Sequence, residues 1–355
     1  MVVDPAFWRG RRVLVTGHTG FKGTWLVLWL RELGAEVTGL AEAVPTEPSL
    51  YELARAGEGV RDVRADVRDA AAVAAAVAGQ EIVVHMAAQP FVRRSFADPR
   101  TTYAVNVMGT VNVLEAVRAA PGVRAVVNVT SDKCYDNRGA GRAFAEEDPK
   151  GGHDPYSSSK GCAELVTDAY LRSYFAADPE GPRIGSARAG NVIGGGDWGE
   201  DRLIPDIMRA AVTDEVIAIR NPDAVRPWQH VLNPLAGYLR LAQALAADPG
   251  QQGGWNFGPA AQDARPVRWI VERVTERWRG ELRWAVDPGP HPHEAHHLAL
   301  DCAKARERLG WEPAWDLGRA LDEIVAWYEA LRDGADMRAV TLAQIRAFAS
   351  RVSGA

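Results

Sequence analysis

Tyr156 and Lys160 are the first residues whose types and spacing suggest chemistry. They stand four apart in Asp154-Pro155-Tyr156-Ser157-Ser158-Ser159-Lys160, where Asp154 can cap a helix and Pro155 suits its first position. That spacing puts both side chains on one helix face. A phenolate is a base for a hydroxyl, yet a free tyrosine has a pKa of about 10. Bringing it to about 7 takes roughly 4 kcal/mol, at about 1.36 kcal/mol per unit. An adjacent ammonium contributes, and a second nearby cation would complete the shift. Upstream, a buried run ends Val129-Thr130-Ser131-Asp132-Lys133, and Ser131 is placed to hydrogen-bond the reacting hydroxyl.

A cofactor to receive the hydride is suggested near the chain start. Thr16-Gly17-His18-Thr19-Gly20-Phe21-Lys22-Gly23 spaces its glycines as G-x-x-G-x-x-G. A strand over 12–16 precedes it, and a helix over 21–33 follows, closed by Gly34. The first glycine allows a tight turn, the second lets backbone approach a pyrophosphate, and the third lets helix and sheet pack closely. The helix N-terminus adds partial positive charge. Gly17, Thr19, Gly20, Phe21, Lys22 and Gly23 are therefore expected to hold a dinucleotide, whose oxidised nicotinamide would be the second cation near Tyr156. The second strand ends Gly39-Leu40-Ala41-Glu42, so its acid is late or absent, and no arginine stands there for a 2′-phosphate. NAD is favoured over its phosphorylated form. Asp66, followed by Val67, reads either as a contact to the adenine amine or as a helix N-cap ahead of Arg68-Asp69. Ala87 and Ala88 either line the cofactor or simply pack. Asn106 is counted with the cofactor residues.

The elements that must position these groups alternate. Strands are expected over 36–40, 60–65, 81–87 and 124–130. Helices are expected over 70–78, 101–120 and 155–175, and later over 203–212, 233–246, 266–278 and 319–331. Such alternation implies βαβ units, hence an α/β fold: a Rossmann-type doubly wound parallel sheet with a smaller C-terminal lobe. Residues 1–190 are assigned to the NAD-binding domain, which carries the catalytic groups. Residues 191–355 are mainly a substrate-binding lobe, with some chain returning to the first domain. Residues 194–199 and 221–227 read as loop.

Bulk properties exclude other classes. The 355 residues carry a net charge of -5 with no basic stripe, which argues against nucleic acid as a partner. No apolar run spans a membrane, no signal peptide is legible, and three scattered cysteines suggest a reducing cytoplasm. The histidines between 291 and 297 lack helical ligand spacing, so no metal is expected. Cys134 and Cys162 are read as inert packing.

Taken together, the glycine turn, Ser131 and the Tyr156–Lys160 pair resemble the extended short-chain dehydrogenase/reductase family over nearly the whole chain. Asp132-Lys133, within TSDKCYDN, is similar to the CDP-glucose 4,6-dehydratase subfamily. GHTGFKGTWL from Gly17, HMAAQPFVRRS from His85, RAGNVIGGGDW from Arg188, DRLIPD from Asp201 and RPWQHV from Arg226 agree. The resemblance implies NAD-dependent oxidation at C4 of a nucleotide-bound glucose by Tyr156, loss of water across C5 and C6, and return of the hydride to C6. Asp132 would be the general acid. Lys133 would remove the C5 proton if its pKa is depressed, or hold substrate while a water does so. Asn191, Arg202 and Arg226 are placed on phosphate or ribose, and Gln89, Arg93 and Ser95 at the sugar. His230 is placed with the substrate or in packing. A homodimer through the helices over 101–120 and 155–175 is also implied. The alternatives are a 4,6-dehydratase of another nucleotide hexose, a nucleotide-sugar 4-epimerase, and a non-catalytic nucleotide-fold protein.

Overall fold

The computed structural model describes residues 2–352, apart from residues 140, 179, 214, 288 and 290–297. In chain order its principal elements are β1 (Arg12–Thr16), α1 (Phe21–Glu32), β2 (Glu36–Ala41), β3 (Arg61–Arg64), α2 (Ala70–Val77), β4 (Ile82–His85), α3 (Gly109–Ala119), β5 (Ala125–Val129), α4 (Pro155–Tyr170), β6 (Arg183–Arg188), α5 (Leu203–Thr213), α6 (Leu232–Ala247), β7 (Gly253–Asn256), α7 (Leu317–Arg332) and α8 (Met337–Val352). The strands form one sheet in the order β7-β6-β5-β4-β1-β2-β3, and every neighbouring pair is parallel.

The central strands are nearly continuous apolar runs, as strands covered on both faces must be. Ile82, Val83 and Val84 are all buried, as are all residues of β5. One face holds a large core that draws on both halves of the chain, from Trp25 and Trp29 to Trp315 and Trp327. Leu14, Val83, Val113, Val117 and Val126 form the core on the other face. Strand order reverses between β1 and β4, where Thr16 and His85 are in register. A crevice opens beyond the carboxyl ends of strands at such a switch point.

Three segments differ from the sequence expectations. The helix over 101–120 contains a π-helical turn at Ala104–Met108, and α4 runs into a second at Leu171–Phe175. Residues 221–227 are not all loop, since Val225–Pro227 pairs antiparallel with Ala264–Pro266. Helix α8 matches none of the expected segments. Its buried stripe includes polar Thr341 and Gln344, which bond to Trp327 and to the Glu323 carbonyl, so the apolar period is interrupted. This helix returns to the first half of the chain, where Phe348 meets Trp29 at 5.6 Å and Arg346 pairs with Glu32 at 2.7 Å. The histidine cluster at 291–297 lies outside the described residues. No helix among the described residues is long and apolar enough to cross a membrane.

Candidate active site

The glycine turn closes for reasons of space. Gly17 has φ of 71°, and a Cβ there would lie 2.8 Å from the Ala87 backbone. A Cβ on Gly23 would lie 2.2 Å from the Gly17 carbonyl oxygen. Gly20 is the N-cap of α1 and supplies no side-chain cap, so the first amides of this twelve-residue helix suit an anion. The Thr16 hydroxyl accepts from the amides of Met86 and Ala87, at 3.0 and 3.1 Å, and bonds to His85 Nδ1 at 2.7 Å. The ends of β1 and β4 are thereby tied together, with Ala87 and Ala88 at the crevice wall. Thr19 donates its hydroxyl to the Ala43 carbonyl at 2.6 Å, and Phe21 packs over Gly194. This cradle fits a dinucleotide pyrophosphate.

Beyond β5, Ser131 caps a short turn at Asp132–Cys134 by accepting the Lys133 amide. Its hydroxyl donates to Asp132 Oδ1 at 2.9 Å. Asp132 is only 4% exposed, and a Cβ on Gly190 would lie 1.8 Å from its other oxygen. Only glycine at 190 leaves room for this carboxyl. Burial drives the Asp132 pKa up against the pull of Lys133, Ser131 and Lys22, so the carboxyl is suited to hold a proton. Asp154 caps α4 through the Ser157 amide, and Ser95 accepts the Tyr156 amide at 3.1 Å. Ser131 is near enough to the Tyr156 phenol to pull its pKa down. Lys160 donates to the Val129 carbonyl at 3.5 Å, and burial lowers its pKa to about 8.

The Tyr156 phenol departs from expectation. Burial first, and then the Asp132 carboxylate, hold it up at about 12, while Ser131 and Arg202 pull it down. The chain's own residues do not bring it near neutral pH. Lys133 is exposed, with its ammonium 6.0 Å from the Tyr156 ring centre, so burial does not help it act as a base.

Several expected contacts are committed elsewhere. Asp66 is held by Arg68, whose amide it accepts at 2.8 Å, and the N-cap of α2 is Asp69. Val67 packs against Gly109 in the second core. The Asn106 amide bonds to the Gln89 backbone and the Ser159 hydroxyl, so it joins the β4 loop to α4. Gln89 spends its own side chain on Phe91 and Thr102. Ser95 holds the Tyr156 backbone rather than facing a sugar. Arg93 pairs with Asp201 at 2.9 Å across the crevice. His230 is fully buried between Trp25 and Trp315 at 5.8 and 4.8 Å, and burial drops its pKa to about 3. Its ring packs among these aromatic side chains, out of contact with solvent. Asn191 takes a left-handed φ of 48°, and its carbonyl accepts from Gln229. Arg202 bonds to Asp197 at 3.1 Å and covers Phe91. Its charge is felt at both Tyr156 and Lys22. Arg226 sits on the short strand beside Arg265.

Other groups entered the site without being foreseen in these positions. Of 41 basic residues only five are lysine, at 22, 133, 150, 160 and 304, and three of these are in the site. Lys22 turns inward from the glycine turn and lies 5.9 Å from the Tyr238 ring. Burial lowers its pKa to about 8, with Lys160 and Arg202 adding to the shift. Tyr238 comes from α6, and its buried hydroxyl has no partner. Arg188 and Glu164 form a buried ion pair behind β5. Lys22 was expected at the dinucleotide, but its place beside Tyr238 and Lys160 was not.

The family model for GDP-mannose 4,6 dehydratase matches residues 14–324. A CDP-glucose 4,6-dehydratase of Salmonella typhimurium is 50% identical over 95% of each chain. A dTDP-glucose 4,6-dehydratase of Mycolicibacterium smegmatis is 30% identical over 90% of this chain and 93% of that one. The crystal structure of DesIV, a dTDP-glucose 4,6-dehydratase of Streptomyces venezuelae with NAD bound, superposes with a TM-score of 0.74 at 26% identity, covering 92% and 99% of the two chains. The chain belongs to the GDP-mannose 4,6 dehydratase family, on the Rossmann-type α/β fold.

Proposed function

We propose that this protein is an NAD-dependent hydro-lyase that converts CDP-glucose to CDP-4-dehydro-6-deoxyglucose and water. Bound NAD supplies the hydride acceptor and a cation at the nicotinamide, held at the glycine turn by Gly17, Gly20, Gly23 and the first amides of α1. Tyr156 takes the O4 proton, and a nicotinamide cation held beside it would lower its pKa further. Lys160 stands one turn further along α4. Asp132, whose pKa burial raises, delivers a proton to the departing O6 hydroxyl. Lys133 faces the open side of the site, where it takes the C5 proton or orients substrate. Arg202 and Arg226 suit the substrate's phosphates, because a guanidinium binds phosphate through two donors.

The observation that carries this reading is Asp132, a buried carboxyl with a raised pKa, set beside Ser131 and Tyr156. A simple epimerase needs no acid there. The 50% identity to a CDP-glucose enzyme, against 30% to a dTDP-glucose enzyme, supports cytidine as the base. Incubation with CDP-, dTDP-, GDP- and UDP-glucose, followed by mass spectrometry, tests it. Loss of one water with CDP-glucose at the highest kcat/KM is expected. Preference for another nucleotide overturns the cytidine assignment, and no water loss with any overturns the reaction. Replacing Lys133 with methionine should retain C4 oxidation but lose deuterium exchange at C5, and normal exchange would pass that proton to a water.

A homodimer is supported by apolar side chains left exposed on α4 and around it. Met108, Leu165 and Tyr174 are 52, 59 and 50% exposed. Sedimentation at micromolar concentration should show a dimer, and monomer alone would remove it. Three free cysteines suit a cytoplasmic location.

A further inference from the structure

A turnover of the proposed dehydration leaves two protons misplaced. Tyr156 gains the O4 proton. The hydrogen that leaves C4 as hydride ends on C6. Asp132 gives a proton to O6, which departs as water. C5 loses one proton and regains one, so its carrier ends as it began, whichever group that is. At the end Tyr156 holds one proton too many and Asp132 one too few.

We propose that Ser131 returns this proton, its hydroxyl accepting from Tyr156 as it donates to the Asp132 carboxylate. One O–H bond of the phenol breaks, the serine exchanges one O–H bond for another, and an O–H bond forms on Asp132. No other reactant is needed. One leg of the path is a hydrogen bond, in which Ser131 Oγ donates to Asp132 Oδ1 at 2.9 Å. On the other side, Ser131 is near enough to the Tyr156 phenol to pull its pKa down. Ser131 is only 7% exposed and Asp132 4%, so bulk water has poor access to the acid. The second Asp132 oxygen packs against the Gly190 backbone.

This inference rests on the dehydratase reading, and the two fail differently: without dehydration the wild-type chain releases no water at all. The test compares the first turnover, by rapid quench with enzyme in excess, with steady-state turnover. Ser131→Ala should slow steady-state water loss by at least about tenfold more than the first turnover, the scale of one positioned proton transfer. Small buffer acids should recover part of that deficit. Ser131→Thr, which keeps the hydroxyl, should restore both rates. In difference infrared spectra the protonated-carboxyl band absent from Asp132→Asn should return slowly after one turnover of Ser131→Ala. Equal slowing of both rates, with the band returning at the wild-type rate, would leave Ser131 only an orienting role. The wild-type protein gives a check free of folding effects. Its steady-state rate should not depend on buffer concentration, and a rate that climbs with buffer would mean Asp132 is reset from solvent.

Discussion

Two buried polar clusters meet at residues 130–135 and treat charge in opposite ways. Behind β5 the charges are paired. Arg188 grips Glu164 through two bonds of 2.7 and 2.9 Å, and reaches the Tyr135 hydroxyl at 2.7 Å and the Glu146 carbonyl at 3.0 Å. Thr130 bonds to the same glutamate, and Tyr135 donates to Asn256 at 2.7 Å. Burial would raise the Glu164 pKa, but the Arg188 guanidinium more than offsets it and holds the carboxyl below its usual value. In front, Lys22, Lys160 and Asp132 sit near one another without closing into pairs. Among the described residues neither Lys22 nor Lys160 has a carboxylate within ion-pair distance. Burial instead lowers both lysines to about 8, and raises Asp132. Satisfied charge makes a scaffold, and unsatisfied charge makes groups that exchange protons near neutral pH.

The largest effect should come from breaking the front. Tyr156→Phe removes the base and should lower kcat by about 10²–10⁴-fold while leaving the urea midpoint nearly unchanged. Retained turnover would dismiss Tyr156 as the base. Breaking the back should do the reverse. Arg188→Met strands a buried carboxylate and should cost about 3–5 kcal/mol in urea unfolding, and a loss below about 1 kcal/mol would mean the pair is not structural.

Lys22→Met sharpens the contrast because it should stabilise the NAD-free chain. The folded-state pKa of about 8 lies below the usual lysine value of 10.5. The unfolded chain therefore binds more protons between those values, and Lys22 makes stability rise with pH across that window. The variant should gain on the order of 3 kcal/mol below the window and flatten the rise, since each pKa unit is about 1.36 kcal/mol. It should also raise the Asp132 pKa by removing a neighbouring cation, so activity lost on deprotonating that acid persists to higher pH. An unchanged pH profile with weaker NAD binding would make Lys22 a phosphate ligand only. The smallest effect belongs to His230→Phe, a core swap expected to cost less than about 1.5 kcal/mol, with KM unchanged. A raised KM would return His230 to the substrate site.

Local signals were legible in the residue order. The glycine turn, the Asp154 cap and the Tyr156–Lys160 spacing each depend on neighbours a few positions apart, and each stands as expected. Ser131 and Asp132 were legible because they end a buried strand. The groups that were not legible depend on distant packing. Tyr238 meets Lys22 only because α6 covers the sheet face beside α1. His230 looked polar enough for a ligand, yet tryptophans from residues 25 and 315 enclose it. Gln89, in the loop after β4, and Ser95, on the short helix Val92–Ala97, use their side chains on neighbouring backbone and on α4, a use that short polar side chains make common. The sequence period also misled at 101–120, where Asn106 occupies a π-helical turn and so reaches both Gln89 and Ser159.

The most direct test of the central claim follows one hydrogen. CDP-glucose carrying deuterium at C4 is turned over, and the product is read by mass spectrometry and proton NMR. If Tyr156 and Asp132 run an internal dehydration, the product has lost one water and carries the deuterium on C6. Deuterium retained at C4 of a product that still holds its C6 oxygen would contradict it.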